Sequence, residues 1–168
     1  MVKYINIKKI SKYTHLSRRL INNLKNKEQI NCFKPKGFYF AKRLEWIKHE
    51  LFEDIFKIDN DIISFPDNYY IYNVKIKDLN LLKINSIKKL IKFTDKYSIK
   101  LESSKYHIID WIKISLKYDG IIISNYKKIL KDFKKLKLDF NRYSWIYHID
   151  VNGGCIWNVD KLKYKLII

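Results

Sequence analysis

The sequence predicts an α+β fold: a single domain over residues 1–168 with a mixed, mostly antiparallel sheet and helices set between its strands. Three observations carry this. Stretches that alternate polar and apolar residues are interleaved with stretches at helical spacing, without a regular βαβ rhythm. With 47% hydrophobic residues over 168 positions, the chain can bury the core of one domain. It holds only 4 Gly and 2 Pro, which excludes collagen-like, flexible-linker and proline-rich classes.

The elements follow in order. Residues 2–8 alternate and read as a strand, without the continuous apolar core of a signal peptide. Leu16, Leu20, Ile21 and Leu24 share one side of a short helix over 16–25. Pro35-Lys36-Gly37 is a turn into an aromatic strand over 37–41. Leu44, Ile47, Leu51 and Ile55 predict a helix over 44–56, and Pro66 makes 62–68 a loop. A strand follows at 69–76 and a second apolar run at 79–84. Asn85-Ser86 can cap a helix to about residue 96, and Ser103 or Ser104 another to residue 116.

Tyr118-Asp119-Gly120 turns into an apolar strand over 119–124, and a Lys-rich helix comes next. The final part reads as a strand over 145–151, a tight turn at Asn152-Gly153-Gly154, a strand over 154–157 and a last strand over 163–168.

Lys plus Arg number 35 against 17 Asp plus Glu, giving a net charge of +18. Such a balance suits an anionic macromolecule, either nucleic acid or an acidic protein. A second reading stands beside it. Only Arg18, Arg19, Arg43 and Arg142 are arginines, and the chain is crowded with Lys, Ile, Asn, Tyr and Phe, whose codons are rich in A and T. Genome composition can therefore account for much of the charge. The densest run holds Lys127, Lys128, Lys131, Lys134 and Lys135, a candidate phosphate-backbone contact or a solvated helix face.

Cys32 and Cys155 are far apart and lack metal-ligand spacing, and the four His are scattered, so no metal site is expected. Free thiols suit a reducing cytosol, so the expected location is cytoplasmic. No apolar run reaches the roughly 18 residues of a membrane span.

Three constellations could carry chemistry. The first is Tyr13-Thr14-His15-Leu16-Ser17, where His15 could hold a ligand hydroxyl through one ring nitrogen while backbone orients the other; the bland alternative is a surface histidine. The second is Lys34-Pro35-Lys36-Gly37-Phe38-Tyr39-Phe40-Ala41, which offers Tyr39 to a planar ring or is an ordinary half-buried strand. The third is residues 145–158, with His148 and Asp150 beside paired glycines. It is either a working carboxylate or a hairpin in which Asp150 satisfies the turn.

In this order the three resemble the ADP-ribosyltransferase fold, the superfamily of NAD-dependent toxins and poly-ADP-ribose polymerases. The resemblance implies a split antiparallel sheet and NAD as substrate, with no metal. It places His15 on the adenosine ribose, and Tyr39 with Gly37 and Trp46 against the nicotinamide. His148 would stand at the edge of the cleft, and Asp150 would take the place of the usual catalytic glutamate. His15 is followed by Leu16 where the family usually has glycine. Lys-Pro-x-Gly-aromatic early, Asp-Gly-Ile in the middle and Gly-Cys-Ile-Trp late are similar to strings in viral and microbial proteins. The expected function is thus ADP-ribosyl transfer to a protein or nucleic-acid acceptor by a viral or microbial effector. The alternatives are a catalytically inactive binding module of the same fold and a basic nucleic-acid-binding protein.

Overall fold

A computed structural model describes residues 1–46, 56–149 and 151–168. Its largest feature is a seven-stranded sheet. In chain order its strands are β2 (Tyr13–Ser17), β3 (Phe38–Lys42), β6 (Tyr70–Lys75), β7 (Leu81–Ile84), β10 (Gly120–Ile123), β11 (Gly153–Ile156) and β12 (Lys163–Leu166). Across the sheet the order is β12-β6-β2-β3-β11-β10-β7. Every neighbouring pair is antiparallel except β10 with β7. A small sheet is built from β1 (Val2–Asn6), β4 (Lys57–Asp59) and β5 (Ile62–Pro66), with β5 in the middle. The strands β8 (Ser98–Lys100) and β9 (His107–Ile109) form a third, two-stranded sheet.

Four α-helices lie among the described residues: α1 (Ile87–Tyr97), α2 (Trp111–Ser115), α3 (Tyr126–Lys135) and α4 (Phe140–Tyr143). None is long and apolar enough to cross a membrane. The helix α1 forms where its sequence asks for it. Ser86 stands extended as its cap and accepts the Lys89 N–H, while Leu90, Phe93, Thr94 and Tyr97 return every three or four residues to the buried side. Those residues join Trp111, Trp145, Ile121 and Phe133 in the main core against one face of the large sheet. On the other face, Phe38 and Phe40 pack with Val74, Leu81, Ile122 and Ile156. That side is concave. Val74 and Lys75 of β6 line the same cavity as Leu81 and Lys83 of β7, although four strands separate β6 from β7 in the sheet.

The mixed, mostly antiparallel architecture is as expected, but several elements differ. The expected helix over 16–25 is β2 followed by irregular chain, because His15 and Leu16 pair with Tyr72 and Ile71. Ladder hydrogen bonds to β6 outweigh the helical spacing of the leucines. The expected loop at 62–68 contains β5, which accommodates Pro66 at its last position, beyond the pairing with β4 that ends at Ser64, so that β1 alone lies beside it. The expected helix over 104–116 shrinks to α2, capped by Asp110, because residues 107–109 pair with β8 instead.

The largest correction falls on 145–154. Residues Ser144–His148 form a 3-10 turn rather than a strand. Trp145 and Ile146 are consecutive and both fully buried, which period-two alternation over a one-sided sheet would not allow. Gly153 and Gly154 form no turn and lie inside β11, between β3 and β10. A Cβ on Gly153 would collide with the Phe40 carbonyl oxygen, and one on Gly154 with that of Ile121. The paired glycines thus serve close approach of three backbones. Most of the expected helix over 44–56 lies outside the described residues, which show only a turn as far as Trp46.

Candidate functional site

The site forms where β2 and β3 part. The two strands share only two register pairs, Tyr13 with Lys42 and Thr14 with Ala41. Below them β2 continues along β6 to Ser17, while β3 continues along β11 to Phe38. At the fork the buried Thr14 hydroxyl donates to the Arg43 carbonyl. One step further the imidazole of His15 replaces a ladder hydrogen bond, with Nδ1 2.6 Å from the carbonyl oxygen of Tyr39. A carbonyl oxygen only accepts, so Nδ1 carries the proton and Nε2 presents a lone pair. Burial holds the His15 pKa below the usual histidine value and keeps the ring neutral, while its bond to the Tyr39 backbone partly opposes that shift. The ring packs on Phe38 with centroids 4.2 Å apart. Among the described residues, Nε2 has no hydrogen-bond partner.

Two cavities meet at His15. One, of about 290 Å³, is lined by His15, Arg18, Lys34, Tyr39, Trp46 and Tyr69. The other, of about 340 Å³, is lined by His15, Gly37, Phe38, Leu24, Lys25 and Lys27. Among the described residues, each therefore combines aromatic or aliphatic walls with two cations and no carboxylate. In the first, the Tyr39 hydroxyl donates to the Pro35 carbonyl, and the Lys34 ammonium stands 4.5 Å from the centre of its ring. Burial, with smaller contributions from the neighbouring cysteines, pushes the Tyr39 pKa up, so the phenol stays protonated. The indole Nε1–H of Trp46 is buried without a hydrogen-bond partner among the described residues. In the second cavity, Gly37 permits close approach, because a Cβ there would strike the Ile156 carbonyl oxygen.

His15, Tyr39 and Trp46 thus share one cleft, and Gly37 adjoins it across His15. Asp150 lies outside the described residues. The chain just after it is fixed firmly, because Asn152 bonds to Glu45 through both its backbone and its side-chain nitrogen, each at 2.8 Å. His148 does not line the cleft with Tyr39 as expected. The 3-10 turn carries it to an exposed position against Phe33, with rings 5.3 Å apart. Lys127, Lys128, Lys131, Lys134 and Lys135 are all exposed on α3, opposite buried Tyr126, Ile129 and Phe133. They span about a third of the helix circumference.

Arg18 and Tyr69 are cleft residues that sequence reasoning missed, and Lys34 stood in the second motif without an assigned role. Arg18 offered a signal, being one of few arginines in a chain that uses lysine almost everywhere. Cys155 is buried, which pushes its thiol pKa up to about 12, so it is no nucleophile at neutral pH. Among the described residues no cluster of His, Cys, Asp or Glu is placed to hold a metal ion. No protein family, curated protein or solved structure matches the chain.

Proposed function

We propose that the protein is an NAD-dependent ADP-ribosyltransferase, a viral or microbial effector that modifies a protein or nucleic-acid acceptor. One observation carries the reading: the fork between β2 and β3 brings His15 and Tyr39, from two separate motifs, into one cleft joined by a direct hydrogen bond. Two cavities sharing His15 suit a two-headed dinucleotide, and Arg18, Lys34, Lys25 and Lys27 supply positive charge for its pyrophosphate.

In this mechanism His15 Nε2 accepts a hydrogen bond from the adenosine ribose. Tyr39 and Trp46 hold the nicotinamide ring. The bond between the ribose C1′ and the nicotinamide nitrogen breaks, and its electron pair leaves with neutral nicotinamide. The carboxylate of Asp150 orients the ribose 2′-hydroxyl and stabilises the oxocarbenium-like centre at C1′. A nucleophile of the acceptor then bonds to C1′ and gives up its proton. The basic surface attracts the acceptor.

A second reading, an inactive binding module of the same fold, is favoured by the Lys34 ammonium, which occupies one face of the Tyr39 ring. Incubation with NAD labelled in its adenylate separates the two. The transferase releases nicotinamide and places label on a macromolecule. Asp150→Asn abolishes release, a loss on the order of 100-fold or more for a transition-state electrostatic contact, while leaving NAD affinity intact. Nicotinamide release rules out the inactive module, and absence of both release and label rules out the transferase.

A further inference from the structure

The lysines on α3 stand on a helix face, but two other groups of lysines line concave surfaces. A cavity of about 580 Å³ opens on the concave side of the seven-stranded sheet. Its floor is Val74, Leu79, Leu81 and Ile122, and Lys12, Lys75, Lys77 and Lys83 stand among its walls beside Tyr13. A smaller groove of about 220 Å³ lies between β7 and α1, lined by Lys83, Lys89, Lys92 and Lys96 with Leu82 and Tyr118. Lys83 belongs to both. It sits on β7, the edge strand, so the two concavities join around the edge of the sheet.

Among the described residues, no carboxylate lines either one. Three acids stand next to lining residues in the chain and are engaged elsewhere: Asp78 with Lys163 at 3.2 Å, Asp95 with Arg142 at 2.7 Å, and Asp119, which accepts the Asn80 N–H at 2.8 Å and the Asn158 side-chain amide at 2.9 Å. All seven lysines are exposed, and among the described residues none of them forms an ion pair.

We infer that this track, from the concave cavity past Lys83 to the α1 groove, binds single-stranded nucleic acid. A row of unneutralised ammonium groups on concave walls follows a phosphate backbone and gains by releasing its counterions. Half-buried Tyr13, Leu82 and Tyr118 between the lysines offer apolar area to base faces. The path turns around a strand edge. A flexible single strand follows such a turn, whereas a duplex, with a persistence length of about 150 base pairs, does not. The helix face of α3 lacks these concave walls. The inference stands apart from the transferase reading, and its test uses no NAD.

The probe is fluorescence anisotropy of a labelled oligo-dT of about 16 nucleotides, the upper end of single-strand site sizes. Binding is measured between about 50 and 200 mM salt. The expected result is that Lys83→Gln, Lys89→Gln and Lys92→Gln combined lower affinity at least about tenfold. They also flatten the logarithmic salt slope by about 2, because each lost single-strand phosphate contact removes about 0.7. Glutamine at all five α3 lysines changes affinity less than about threefold. Failure of the wild-type chain to bind at about 150 mM salt overturns the inference. So does an α3 variant that loses as much as the track variant. Competition by a duplex of equal length, or by polyglutamate, as effective as that by oligo-dT also overturns it.

Discussion

Asn152 donates its backbone N–H and its side-chain amide to the two carboxylate oxygens of Glu45, each at 2.8 Å across 107 residues of chain. The same asparagine accepts the Tyr126 N–H at 2.8 Å with its amide oxygen, and its carbonyl accepts the Lys42 N–H at 2.8 Å. It therefore caps α3 from outside the helix. Asn125, at the cap position itself, is left-handed and makes no side-chain cap.

That arrangement predicts strong coupling. Glu45→Ala leaves two half-buried donors of Asn152 without their acceptor, at a cost of about 2 kcal/mol in urea unfolding. Asn152→Ala costs at least as much, because α3 also loses its cap. The double variant should fall well short of the sum, with a coupling of about 1 kcal/mol or more. Additivity within about 0.5 kcal/mol would mean that the two side chains act independently.

How far the sequence speaks for this fold depends on the range of the interaction. The helix α1 was legible, because a serine cap and a three-to-four-residue apolar rhythm are local signals. The strand β2 was not. Leu16, Leu20, Ile21 and Leu24 keep helical spacing, but the partner that extends the chain, Ile71 to Asn73, lies more than fifty residues away. Instead of a helix, Ile21 and Leu24 lie on the concave core as irregular chain, and the Ile21 N–H donates to the Tyr72 hydroxyl. Gly153-Gly154 carries turn chemistry on its face, and only the crowding of Phe40 and Ile121 reveals a central strand. For the cleft, the motifs around His15 and Tyr39 pointed to residues that do meet. Of Trp46 or His148 at its edge, Trp46 lines it, while a 3-10 turn replaces the strand expected to carry His148. Glu45 gave no signal, because its role depends on a distant asparagine.

The histidine at the fork sets a pH dependence. Burial lowers the His15 pKa in the folded state below the 6.5 of a free side chain. The unfolded chain then binds more protons through this window, so stability rises with pH. The contribution is fully present above the unfolded value of 6.5 and is lost as pH falls through the folded value. The melting temperature of the wild type should therefore drop more steeply than that of His15→Asn as pH falls from about 8 to about 5. Parallel profiles for the two proteins would show that the ring titrates freely. Ligand affinity should fall over the same window, because a proton on Nε2 removes the lone pair.

Tyr39 separates a role of its hydroxyl from a role of its ring. The hydroxyl is spent on the Pro35 carbonyl, and the fully protonated phenol has no part to play as a base. Tyr39→Phe should therefore cost about 1 kcal/mol of stability for one lost hydrogen bond and leave NAD affinity within about twofold. Tyr39→Ala removes the ring as well. It should weaken NAD binding at least about tenfold, the scale of a lost aromatic stacking contact. Lys34→Met is the companion variant. It removes the ammonium now 4.5 Å from the ring centre while keeping an aliphatic chain of similar length, so it frees that ring face. If nicotinamide stacks there, affinity for nicotinamide alone rises in Lys34→Met and vanishes in Tyr39→Ala. Calorimetric titration of the three variants with nicotinamide and with NAD distinguishes these outcomes. Equal affinities for wild type, Tyr39→Phe and Tyr39→Ala would place the nicotinamide somewhere other than on this strand.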